Sequence, residues 1–99
     1  IETSMMLHLA PGTVHMEHAQ NFRSTSQDRS ERFAILGNGK SAKMGWAMED
    51  YHPSGAVGQA DAATADKGRA VVQAAGAALA ALLAEVAALP LDTVRVAGV

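Results

Sequence analysis

Two histidines three residues apart are the first feature of this sequence that could do chemistry. His15 and His18 flank Met16-Glu17; on a helix, positions three apart share a face, so both imidazoles could reach one metal ion. Pro11-Gly12 just precedes the pair and no third ligand lies at a recognisable spacing, so the residues favour surface histidines. His8 and His52 are isolated. Residues 34–41, Ala-Ile-Leu-Gly-Asn-Gly-Lys-Ser, fit a loosened phosphate-binding loop with Ala in place of its first Gly. Such a loop works between a strand and a helix, where backbone amides and the helix dipole converge on phosphate. Here a strand-like stretch follows Ser41 and no acidic magnesium-binding strand comes after it, which leaves a turn carrying a solvated lysine. No serine–histidine–acid set can be assembled from spacing. Glu2 heads an apparent helix, a place where a carboxylate suits the helix dipole.

The elements that would position these groups are uneven in strength. The strongest is a helix predicted over residues 65–89: strong helix formers run unbroken to Leu89, and Pro90 closes the run. Thr64 is its expected N-cap, with Asp66 in the first turn. Val71, Val72, Ala75, Leu79, Leu82, Leu83, Val86 and Leu89 recur at three- and four-residue steps, so they form one bulky face expected to lie on a sheet. Before it, Gly55 and Gly58 bracket a turn that calls for positive φ. Residues 1–9 read as a short helix ended by Pro11-Gly12, with Met5 and Met6 as core filling. Residues 13–16 could make a short strand. Residues 20–32 are polar, mixed in charge and free of periodicity, and read as a surface loop. The apolar run 33–36, the Asn38-Gly39 turn signal and the alternation of Met44, Trp46 and Met48 predict a β-hairpin pairing 33–36 with 43–49. Residues 90–99 read as a tail with weak alternation at Val94 and Val96.

Ninety-nine residues allow one small domain. A formal net charge of −2 gives no reason to expect nucleic acid or an anionic membrane as partner. With no cysteine there is neither a disulfide framework nor a thiolate metal site, which fits a cytoplasmic protein. The apolar run from Ala70 to Ala84 is shorter than the roughly 20 residues a membrane span needs. The chain opens directly into a helix and has few strands with which to close a two-layer core, so the expectation is a C-terminal piece of a larger domain.

Two stretches carry a family resemblance. Glu2-Thr3-Ser4-Met5-Met6-Leu7-His8-Leu9, with Pro11 and Val14, resembles the creatininase-family segment in which a His-Ala-Gly or His-Gly-Gly turn leads to Glu-Thr-Ser-Leu-Met-Leu. Ser54-Gly55-Ala56-Val57-Gly58 and Ala63-Thr64-Ala65-Asp66-Lys67-Gly68 resemble the family's Gly-x-x-Gly turn and its Ala-Thr-x-x-Lys-Gly helix start, in the same order and at a similar interval. Trp46 and Asp50 sit where several members have similar residues.

The resemblance implies an α/β fold: the C-terminal part of a three-layer α/β/α domain, seen here as short helix, β-hairpin and long helix. It also implies a metal-dependent amidohydrolase of small or cyclic amides, with two divalent ions (zinc, manganese, iron or magnesium) and assembly as a homo-oligomer, in many members a hexamer. The family's metal ligands, an upstream Glu-x-His, a following Asp and an Asn-Gly-His segment, have no counterpart in these 99 residues. Among functional positions only Glu2 carries over, as an acid lining the active site. The expectation is therefore an inactive fragment without a metal site, its partners being a small-molecule substrate and the N-terminal remainder of the domain, with neither nucleic acid nor membrane. The competing expectation is a small non-catalytic helix-plus-hairpin module that presents its long helix to a partner.

Overall fold

The computed structural model describes residues 1–95. Its architecture is helix-rich: α1 (Glu2–Leu9), α2 (Ser26–Arg32), α3 (Met48–Tyr51) and α4 (Ala65–Ala88), with a two-stranded antiparallel sheet of β1 (Asn21–Phe22) and β2 (Gly58–Gln59). The register pairs Asn21 with Gln59 and Phe22 with Gly58. Gly55 and Gly58 take the positive φ angles expected of them, 76° and 108°.

α4 runs without a break over 24 residues, about 36 Å at 1.5 Å per residue. Its N-cap is Thr64, whose hydroxyl accepts a hydrogen bond from the Lys67 amide at 3.2 Å. α4 packs on α1, and the contact is closest where Gly68 lies against the Ser4 carbonyl. A Cβ at position 68 would overlap that carbonyl, so the glycine is what lets the two backbones approach.

Beyond Val72 the expected burial fails. Leu79, Leu82, Leu83 and Val86 are each more than half exposed, and the small residues on the opposite face are exposed too. The tiny β1–β2 ladder offers no surface for a helix of this length. Among the described residues no apolar side chain is fully buried. The radius of gyration is 19.5 Å, against about 13 Å for a compact domain of this length. By length and composition α4 is also apolar enough to cross a membrane, with a mean hydropathy of 1.8 over its best 18-residue window.

Three local expectations are corrected. Residues 13–16 are not a strand: two 3-10 turns, Pro11–Thr13 and Met16–His18, flank two residues, of which Val14 is extended. Proline favours the first turn, and the Thr13 hydroxyl locks it by donating to the Ala10 carbonyl at 2.7 Å. Residues 20–32 are not a loop but contain β1 and α2. α2 has no apolar period to announce it. Polar bonds hold it instead: the Ser24 hydroxyl accepts from the Ser26 amide at 3.1 Å, the Arg23 guanidinium donates to Asp28 at 3.0 Å, and the Thr25 hydroxyl donates to the Asp50 carbonyl at 2.7 Å.

The 33–36/43–49 hairpin is also absent. Residues 33–41 fold back onto α2, with Gly37 against the Arg29 carbonyl. The Asn38 side chain then accepts from the Lys40 and Ser41 amides at 2.8 and 2.9 Å. Asn38-Gly39 thus makes a side-chain-closed turn rather than a two-residue strand connection. Trp46 meets a cation instead of a strand: the Arg29 guanidinium sits 4.1 Å from its ring centre and 5.6 Å from that of Tyr51. The fold-class expectation loses its hairpin and keeps its short and long helices. Of the 90–99 tail, residues 91–94 form a turn and a bend, and residues 96–99 lie outside the described residues.

Candidate functional site

The two sequence stretches that carry the family resemblance, nearly sixty residues apart, meet in space. Ser4, only 4% exposed, accepts a hydrogen bond from the Thr64 amide at 3.1 Å. That amide belongs to the N-cap, so it has no partner within its own helix, and the serine supplies one. Lys67, in the first turn, donates to the Ala62 carbonyl at 2.7 Å, tying the 3-10 turn Ala60–Ala62 to α4. Ser4, Thr64, Lys67 and Gly68 together fix how α1 enters the fold. Ser4 and Gly68 have a sequence signal after all: a glycine in the first turns of a helix costs about 1 kcal/mol relative to alanine, so it marks a place where something comes close.

This junction sets the position of Glu2, two residues before Ser4. Glu2 is the first residue of α1, in the turn where the helix dipole favours a carboxylate. It is exposed, and it borders two open grooves. One, of about 350 Å³, is lined by Met6, Val14 and Met16 together with His15 and His18. The other, of about 530 Å³, is lined by Val57, Gly58, Gln59 and Ala63. Thr3 and Ala60 border both, so Glu2 stands where two concavities meet.

His15 and His18, read from sequence as surface residues, are exposed, and they also rim the first groove. In the 3-10 turn, residues three apart eclipse, which brings their rings to 6.4 Å. The Glu17 carboxylate lies between them, 3.5 Å from His15 Nδ1 and 3.9 Å from His18 Nε2. These three side chains are 66–81% exposed. His52 is engaged elsewhere, its Nδ1 2.7 Å from the Ser54 hydroxyl and its ring edge-on to Phe22. Lys40 and Ser41 lie in the Asn38 turn, with neither a strand before them nor a helix directly after.

The divalent metals that the resemblance implies do not fit the donors present. Among the described residues no group of three histidine, aspartate or glutamate side chains is placed to hold an ion. At Glu17 the carboxylate lies 3.5 and 3.9 Å from the two imidazoles on an open surface.

Comparison with curated proteins and with solved structures gives no match. The family model for creatinine amidohydrolase matches residues 1–83, a span that includes Glu2, the Ser4–Thr64 junction and most of α4. On that match the chain belongs to the creatininase family.

Proposed function

We propose that this chain forms part of a metal-dependent amidohydrolase that hydrolyses the C–N bond of a small or cyclic amide, with Glu2 as its acid–base group. The observation that carries the reading is the position of Glu2: an exposed carboxylate where two grooves meet, held there by the junction of the two family segments. Hydrolysis delivers hydroxide to the carbonyl carbon and a proton to the leaving nitrogen. A carboxylate within reach of both can take the proton from the attacking water and hand it to nitrogen, a service worth about 10²- to 10⁴-fold in rate. The metal donors would come from polypeptide outside the described residues, the ion being zinc, manganese, iron or magnesium.

The same polypeptide, the N-terminal remainder of a three-layer α/β/α domain, would cover the bare face of α4. A face of Leu79, Leu82, Leu83 and Val86 left in water is an unmet hydrophobic contact. The family match, which runs through most of α4, favours protein rather than lipid as the cover. A cytoplasmic homo-oligomer, a hexamer as in many members, completes the proposal, with a small-molecule substrate and no nucleic acid. The bare α4 face also supports a second reading, a non-catalytic module that docks this helix on a partner.

Glu2→Gln in the complete, metal-loaded enzyme separates the two. The substitution keeps size and hydrogen-bonding capacity but removes the charge. Turnover should fall about 10²-fold or more, with melting temperature and bound metal unchanged. Turnover equal to the parent's would remove Glu2 from the chemistry, and loss of metal would make it a ligand instead.

A further inference from the structure

We propose that Val14, Met16 and His18 form the specificity wall of the Glu2 site, receiving the part of the amide substrate that does not react. The inference rests on the reading of Glu2 as the acid–base group and adds what lies beside it. The groove of about 350 Å³ joins Glu2 to two half-buried apolar side chains, Val14 and Met16, and to the imidazole of His18 at its rim. Such a lining suits a small uncharged amide with one apolar edge and one hydrogen-bonding end. Sites for small molecules are commonly built this way, from apolar walls and a few convergent polar groups.

The wall is self-supporting, as a selecting surface must be. Its two 3-10 turns close by their own backbone bonds: Val14 N–H to the Pro11 carbonyl at 3.2 Å, His18 N–H to the His15 carbonyl at 3.0 Å and Ala19 N–H to the Met16 carbonyl at 3.0 Å. Its near end continues from α1. Its far end is tied across the fold by the Asp61 amide, which donates to the Gln20 carbonyl at 3.2 Å, and by the β1–β2 pairing just after. Glu2 and the wall are therefore held by the same framework, α1 below and the 58–61 segment beside it. Met16 is the residue best suited to set the size limit, since its unbranched side chain fills irregular space and its removal opens the groove without touching the backbone.

The test uses the complete metal-loaded enzyme and a panel of five-membered cyclic amides of graded N-alkyl bulk, creatinine included. Met16→Ala should move the preference toward bulkier members, changing the ratio of kcat/KM between a large and a small member by about 10-fold or more, the range one or two methylenes command in an apolar pocket. His18→Ala should raise KM across the panel with kcat nearly unchanged, because it removes a binding contact and no proton transfer. Neither variant should shift the melting temperature by more than a few degrees, which a merely structural role would not satisfy. Unchanged ratios and KM values in both variants, while Glu2→Gln still abolishes turnover, would overturn the wall and leave the reading of Glu2 intact. Parental turnover in Glu2→Gln would overturn the underlying reading, and failure of the unmodified enzyme on every panel member would overturn the substrate class.

Discussion

The two ends of α4 obey different rules. At its start, from Thr64 to Val72, the helix is capped by a threonine hydroxyl, pressed on α1 through Gly68 and bonded to a buried serine. From Gln73 to Ala88 every residue is exposed, including the leucines and valines spaced for one continuous face. One helix thus has a finished end and an unfinished one. The finished end carries the family's Ala-Thr-x-x-Lys-Gly segment and sets the position of Glu2. The unfinished end has the composition of a buried helix and nothing among the described residues to bury it. The packing of α4 is concentrated where it meets α1, and the proposed larger domain would supply the cover for the rest.

The contrast can be broken most severely at Gly68. Gly68→Val puts a branched side chain into the Ser4 carbonyl and the Met5 amide, backbone atoms that cannot swing aside. It should destabilise the complete protein by about 3 kcal/mol or more in denaturant unfolding, at the upper end for overpacking. A variant as stable as the parent would mean that the α1–α4 approach is looser than the structure has it. Ser4→Ala is the milder probe of the same junction. It takes the partner from the Thr64 amide at a part-buried contact and should cost about 1–2 kcal/mol by the same measurement. A cost below about 0.5 kcal/mol would show that water serves that amide equally well.

The smallest effect belongs to the segment between β1 and β2. Arg29→Ala removes the guanidinium from between Trp46 and Tyr51 and its bond to the Thr25 hydroxyl. Arg29 Nη2 is buried without a partner, which offsets part of that gain. The variant should lose about 1 kcal/mol, with tryptophan fluorescence shifting as Trp46 becomes wetter. An unchanged emission spectrum would contradict the stacking.

These regions also differ in how far the sequence discloses them. α4 is legible almost to the residue, because alanine-rich propensity, the Thr64 cap and Pro90 all point the same way. Glu2 at the head of α1 is legible from the helix-dipole preference and from the family segment around it. The burial of the α4 face is not legible, since periodicity says which side is apolar and not what covers it. α2 and the 33–47 stretch are misread for a physical reason. Their order comes from side-chain-to-backbone bonds at Ser24, Thr25 and Asn38 and from one arginine over two rings, none of which leaves a periodic trace. The groove beside Glu2 needs two consecutive 3-10 turns, and the valine at position 14 disguises them as a strand.

The proposed cover would make the bare face of α4 an interior face of a larger domain. Because the chain has no cysteine, a single thiol introduced by Leu82→Cys is an unambiguous probe within it. Its rate of modification by a water-soluble maleimide in the complete native protein, compared with Lys40→Cys on the exposed Asn38 turn, reads the cover directly. Protection by about 10²-fold or more is expected, lost on unfolding in denaturant and unaffected by detergent micelles, as a cover of protein rather than lipid requires. Equal labelling at both positions would contradict it, and protection that detergent abolishes would assign the face to a membrane.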